Sequence, residues 1–276
     1  MSAGQDPRTE EHLREEGRLP PDIIRAAEEP YSVRADLAFE ACLFGKTWTG
    51  KGSYVEMRSG PIPRSRLEIL SELSGNPSRF LQVCDGNKTY IHDAIENAAR
   101  VIVLDTVRCH EAMELPETVR NRGPRTCLGL GGIAGLLRHL ESAFQFGPSK
   151  PVEYQTRPHQ QIVGALRRWV VTRHLPEKTE RFPPSNEMAG TTAADWARLP
   201  SRIPTHVVLT FAAASPLPVS IVYVRLPPGT SESRTLLRLS LTGIRINPPI
   251  SEEEFRFVIP EGVEMVDRTS EFLGAP

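Results

Sequence analysis

Gly129-Leu130-Gly131-Gly132-Ile133-Ala134 is the stretch of this sequence whose spacing could hold a phosphate. A G-x-G-x-x-A run turns a strand into a helix whose first amides face a pyrophosphate. That chemistry needs a buried strand in front of the glycines, and Arg122-Gly123-Pro124-Arg125-Thr126 stands there instead, with no βαβ unit around it. The run therefore reads as a glycine-rich helix start, and a nucleotide-dependent enzyme is the least favoured function. The seven histidines are scattered, with no H-E-x-x-H and no pair at i, i+4 to share a metal. Cys109 and His110 with Cys127 come nearest to a ligand set, and they read as solvent-facing or hydrogen-bonded side chains. No G-x-S-x-G elbow is present, and Glu252, Glu253 and Glu254 look like a solvated turn before a strand. The expectation is no catalytic residue, no metal and no cofactor.

Cys42, Cys84, Cys109 and Cys127 contain no C-x-x-C pair, which removes zinc ribbons and thioredoxin-type redox chemistry. Cys109 and Cys127 flank a helical stretch that a disulfide would clip in an oxidising compartment; two free buried thiols are the alternative. With 33 basic against 34 acidic side chains, no broad field draws the chain to nucleic acid. No run approaches the roughly 20 apolar residues needed to span a bilayer, so stable membrane insertion is not expected. Residues 1–16 are polar and lack the apolar centre of a secretory signal.

The elements that would position any site follow from periodicity. A polar segment over residues 1–30 ends in a short helix at 22–29, started by Pro20 and Pro21. From Val33 apolar residues alternate with polar ones through Leu43, the period of a half-buried strand. Further strands are expected at 52–58, 66–73, 80–84, 89–92 and 101–104, with Asp85-Gly86 as a hairpin turn. A helix over 106–115 stops at Pro116, and Leu130, Ile133, Leu137, Leu140 and Phe144 recur at helical spacing in a second one. Strands resume at 152–156 and 162–172, a Pro-rich surface excursion occupies 174–204, and strands follow at 206–211, 219–226, 236–247 and 255–259. In the 236–247 strand the apolar phase slips at Gly243, which predicts a bulge that bends the sheet. Short antiparallel connections without βα alternation give an α+β fold: a curved antiparallel sheet with helices inserted mid-chain, in one domain over 31–276. Such a sheet and helices can enclose a pocket instead of filling it.

Three segments carry a family resemblance: 50–58 (GKGSYVEMR), 81–92 (LQVCDGNKTYIH) and 250–257 (ISEEEFRF), the last followed by Pro260-Glu261-Gly262-Val263-Glu264. In order and spacing they resemble the LolA-like periplasmic lipoprotein carriers, whose G-x-G-x-hydrophobic strand precedes an SDG-x-x-hydrophobic hairpin and whose last strand reads ID-x-x-x-F-x-F before a P-x-G-V turn. The resemblance implies an unclosed β half-barrel under a helical lid. It also implies non-catalytic binding of an acyl chain, lipid or lipoprotein, with membrane-anchored donor or acceptor proteins as partners, in the periplasm or cell envelope. A sensor or structural module built on the same fold is the alternative. Arg58 matches the family's strand arginine that helps to close the lid, and Leu130, Ile133, Leu137 and Leu140 would form the lid face toward the sheet. The stretch over 150–204 is longer than compact carriers need, and Met57-Arg58-Ser59 stands where the family has Lys-Arg-Pro.

Overall fold

Strand β1 (Ser32–Leu43) sets the frame. Val33, Ala35, Leu37 and Ala41 are buried, whereas Asp36, Ala38 and Glu40 are exposed, so its side chains divide between a dry and a wet face. The computed structural model describes residues 17–43, 46–73, 76–95, 98–114, 131–167, 199, 201–213, 215–227 and 232–273. Five strands follow β1 as an antiparallel meander: β2 (Lys46–Met57), β3 (Arg64–Leu73), β4 (Asn76–Cys84), β5 (Lys88–Ile95) and β6 (Ala98–Asp105). At the β4–β5 reversal the Asp85 carboxylate accepts from the amides of Asn87 and Lys88, both at 2.8 Å. This local bonding is why an Asp-Gly pair makes a tight turn.

The other half contains β7 (Phe144–Phe146), β8 (Lys150–Tyr154), β9 (Arg157–Leu166), β10 (His206–Ala212), β11 (Pro218–Arg225) and β12 (Arg234–Ile246). β12 returns to lie beside β1, giving one 13-stranded sheet in the order β13-β6-β5-β4-β3-β2-β1-β12-β11-β10-β9-β7, with β8 also on β9. Every pairing is antiparallel except that of the short β13 (Met265–Asp267), which runs parallel to β6. The ends of this order are not paired with each other, so the fold is α+β with a curved, open antiparallel sheet. Opposite Ala35 the register slips: Arg34 faces Arg245 while Asp36 faces Thr242. The extra residue falls at Gly243 and Ile244, where Gly243 has φ 58°, and a Cβ there would lie 2.9 Å from Asp36 Oδ2. The expected bulge is present, and such bulges increase twist and bend the strand that carries them.

Two helices cover one face, here called the inner face. α1 (Pro21–Glu28) begins with proline at a first-turn position, where its missing N–H costs nothing. α2 (Thr106–Glu114) follows β6 directly, and α3 (Gly132–Ala143) precedes β7. Ile133, Ala134, Leu136, Leu137 and Leu140 of α3 share a core with Val33 and Leu37 of β1, Tyr54 of β2, Leu209 of β10 and Leu241 of β12. Ala27 of α1 and Leu19 before it belong to the same core, and Arg138 of α3 pairs with Glu28 of α1. A smaller cluster joins Leu104 and Cys109 to Phe272 and Leu273 of α4 (Thr269–Leu273).

The expected strand over 255–259 does not form. Glu252–Phe255 is a 3-10 turn, and an extended strap runs on from it to β13. Phe255 is buried against Val55, Met57 and Ile250 on the outer face, and Phe257 stacks on Tyr90 at 4.9 Å. Two phenylalanines two residues apart look like a strand in sequence, but here they dock onto a sheet face, where there is no strand edge to bond. The acidic triplet is the expected solvated turn, with Glu252 and Glu253 exposed, and two of its carboxylates also reach the sheet: Glu254 pairs with Arg34 at 2.6 Å and Glu252 with Arg64 at 3.0 Å. Leu130, Cys127 and most of 174–204 lie outside the described residues.

Candidate functional site

Tyr54 and Glu56 of β2 and Arg58 just after its last residue continue one alternation, and the two-residue period puts all three on the inner face, beneath the helices. A carboxylate is expensive in such a place, yet Glu56 is 1% exposed. Four contacts satisfy it. Tyr54 Oη donates to Oε2 at 2.6 Å, and Arg58 Nε donates to Oε1 at 2.9 Å. Arg58 Nη2 lies 2.8 Å from Oε1, and the Ile133 amide donates to Oε2 at 3.0 Å. The last donor is one of the unpaired amides in the first turn of α3, where partial positive charge also favours an anion. Burial and the adjacent Glu56 charge together hold the Tyr54 phenol well above its usual range, so it stays a donor.

Gly132 makes this approach possible. Its φ is 65°, and a Cβ there would fall 2.3 Å from Glu56 Oε2, so a side chain would both strain the backbone and strike the carboxylate. Arg58 reaches the other helix as well, donating from Nη2 to the Ala27 carbonyl at 2.8 Å near the end of α1. Carbonyls in the last turn of a helix lack intrahelical partners, and arginine side chains suit them. One strand end thus fastens the start of α3 and the end of α1 to the sheet through charged groups.

Of the residues singled out in sequence, Arg58 stands in this cluster, and Ile133, Leu137 and Leu140 are buried in the core beside it. Leu130 lies outside the described residues. The described end of the glycine run serves an internal anion: the Ile133 amide, which a dinucleotide-binding helix would offer to pyrophosphate, is bonded to Glu56. Sequence reasoning missed Tyr54, Glu56 and Gly132. The available signal was parity, since a glutamate two residues from an inward tyrosine must itself point inward.

The space between helices and sheet is nearly filled. A void of about 10 Å³ remains, lined in part by Leu37, Tyr54, Ile133, Leu136, Ile221 and Leu241, which is room for a single water at most. Toward the hairpin tips the inner face continues as half-buried apolar residues: Phe39, Trp48, Ile69, Phe80 and Leu239. Among the described residues no group of three or more His, Cys, Asp or Glu could hold a metal ion, and no helix is long and apolar enough to cross a membrane.

No family model matches the chain, and no curated protein matches it. Among solved structures it is similar to a DUF1329 family protein from Desulfovibrio piger, with 9% identity and TM-score 0.36 over 85% of this chain and 94% of that one. It is also similar to an outer membrane lipoprotein-sorting protein domain from Vibrio parahaemolyticus, with 9% identity and TM-score 0.32 over 84% and 95% of the two chains.

Proposed function

We propose that this protein is a non-catalytic carrier or chaperone of the cell envelope. It takes a hydrophobic ligand, such as an acyl chain, a lipid or a lipoprotein's acylated end, between its open sheet and the helices α1 and α3. The observation that carries the reading is the Glu56–Arg58 fastening. An interface held only by apolar side chains loses all of its burial energy when it opens. A buried ion pair instead regains several kcal/mol of hydration per ion when water reaches it, which lowers the cost of lifting the helices. The face uncovered is apolar, and each methylene hidden from water is worth about 0.8 kcal/mol. A ligand chain can therefore replace the helix side chains at small net cost. In this reading the present arrangement is the closed state, with Ile133, Leu137 and Leu140 as the lid surface that ligand displaces and Arg58 as the residue that shuts it.

Displacement of a fluorescent fatty-acid analogue tests the proposal. Arg58→Leu should keep the fold, by circular dichroism, while the analogue enters and leaves faster than in wild type, because the closed state has lost bonds that the open state never had. Identical uptake and release in the two proteins, or no saturable uptake by either, would count against it. Native mass spectrometry of the freshly purified protein should find retained lipid.

A further inference from the structure

A second cavity lies on the opposite side of the sheet from the helices. Ala38 forms its floor, with Lys51 and Thr49 of β2 on one wall and Ser240 and Arg238 of β12 on the other; Glu40 stands at one end, and the cleft holds about 310 Å³. That is the lower end of the range for small-molecule sites. Register explains the shape. Ala38 sits between Lys51 and Ser240 across the strands, and Glu40 sits between Thr49 and Arg238. A short side chain is thus ringed by longer ones.

Among the described residues, nothing uses the charges in this ring internally. Elsewhere on the outer face the arginines of β1, β3 and β4 have carboxylate partners: Arg34 with Glu254, Arg64 with Glu252, and Arg66 and Arg79 with Glu68. Lys51, Arg238 and Glu40 have no hydrogen-bond or ion-pair partner among the described residues, although Glu40 and Arg238 are direct cross-strand neighbours. Beyond Ser240 on the same rung lies Ser220 of β11. It is 1% exposed, and its hydroxyl has no hydrogen-bond partner among the described residues, a condition that normally costs free energy.

We propose that this cleft is a binding site, separate from the lid region, for a small zwitterion that joins a phosphate to a primary ammonium group. Lys51, the Arg238 fork and the Ser240 and Thr49 hydroxyls supply more donors than a carboxylate can engage, and their number suits the several oxygens of a phosphate. Glu40 faces the ammonium end. Free aminoalkyl phosphate and an aminophospholipid headgroup share this chemistry.

Calorimetric titration of the full chain at low ionic strength, with phosphoethanolamine, inorganic phosphate and ethanolamine, tests the assignment. Phosphoethanolamine should bind saturably and about tenfold more tightly than either half. Lys51→Gln with Arg238→Gln should abolish binding at an unchanged urea midpoint, since both side chains reach solvent. Glu40→Gln should weaken phosphoethanolamine and leave inorganic phosphate unaffected. Flotation with phosphatidylethanolamine vesicles then separates the sources: association lost in the double variant assigns the lipid headgroup, and its absence beside binding of the soluble compound assigns the free one. No heat with phosphoethanolamine, binding that survives the double variant, or equal affinity for inorganic phosphate would overturn the proposal.

Discussion

At the scale of single residues, Glu56 is the side chain whose environment is most sharply specified. Removing its charge while keeping its size leaves the half-buried Arg58 without its carboxylate partner, and breaking one side of such a pair costs about 3 kcal/mol. Glu56→Gln should lower unfolding stability by that amount in urea denaturation. A double replacement of Glu56 and Arg58 by methionine should recover most of the loss, because two apolar groups of similar volume need no mutual bond. If the double variant is no more stable than the single one, the pair is not the source of the cost. Gly132→Ala should destabilise by about 2 kcal/mol, through positive φ and the contact with Glu56. Arg58 was singled out because it follows a strand whose pattern resembles a known one. Glu56 was missed, although its two-residue spacing from Tyr54 carried the signal, because a glutamate between Val55 and Met57 looks like the wet half of an alternation. Its burial comes from α3, whose position depends on long-range packing.

At the scale of elements, alternation and helical spacing were enough to find most of the strands of the sheet, the α3 stripe and the Gly243 bulge. Sequence failed at the strap, because Phe255 and Phe257 keep a strand's period without a strand's partners. Phe255→Ala should cost about 3 kcal/mol, the usual range for emptying an aromatic site, and should raise the reactivity of Met57 toward oxidant, since Phe255 covers it. At the far end of the strap, the Asp267 carboxylate accepts from the Thr269 amide at 2.8 Å and begins α4. Bonding from the Thr269 side chain first, and from its amide, holds the Asp267 pKa below the ordinary carboxylate value. A depressed folded pKa means that the contribution is complete above the unfolded value, near 3.9, and is lost as pH falls through the folded one. The NMR signals of α4 should therefore be unchanged from pH 7 to about 5 and move toward those of an unfolded segment below about 4.

At the scale of the whole molecule, the order of strands matters more than their number. The chain lays down β1 to β6 as neighbours and later places β12 against β1 and β13 against β6. Both ends of the first meander are thus held by the last part of the sequence. Two pieces cut between residues 114 and 131 should copurify when expressed together, because both of these pairings cross the cut. Failure to associate would mean that the first six strands do not hold their shape without a continuous chain.

The pairing of β1 with β12 also sets a schedule. At about 5–20 residues per second, β1 leaves the ribosome roughly 10–40 s before the strand that lies beside it in the finished protein. For that interval the free edge of β1 stays unpaired while the meander grows beside it, and open edges recruit other chains. A cell making this protein must keep nascent copies apart, or keep them extended until the last strand has arrived.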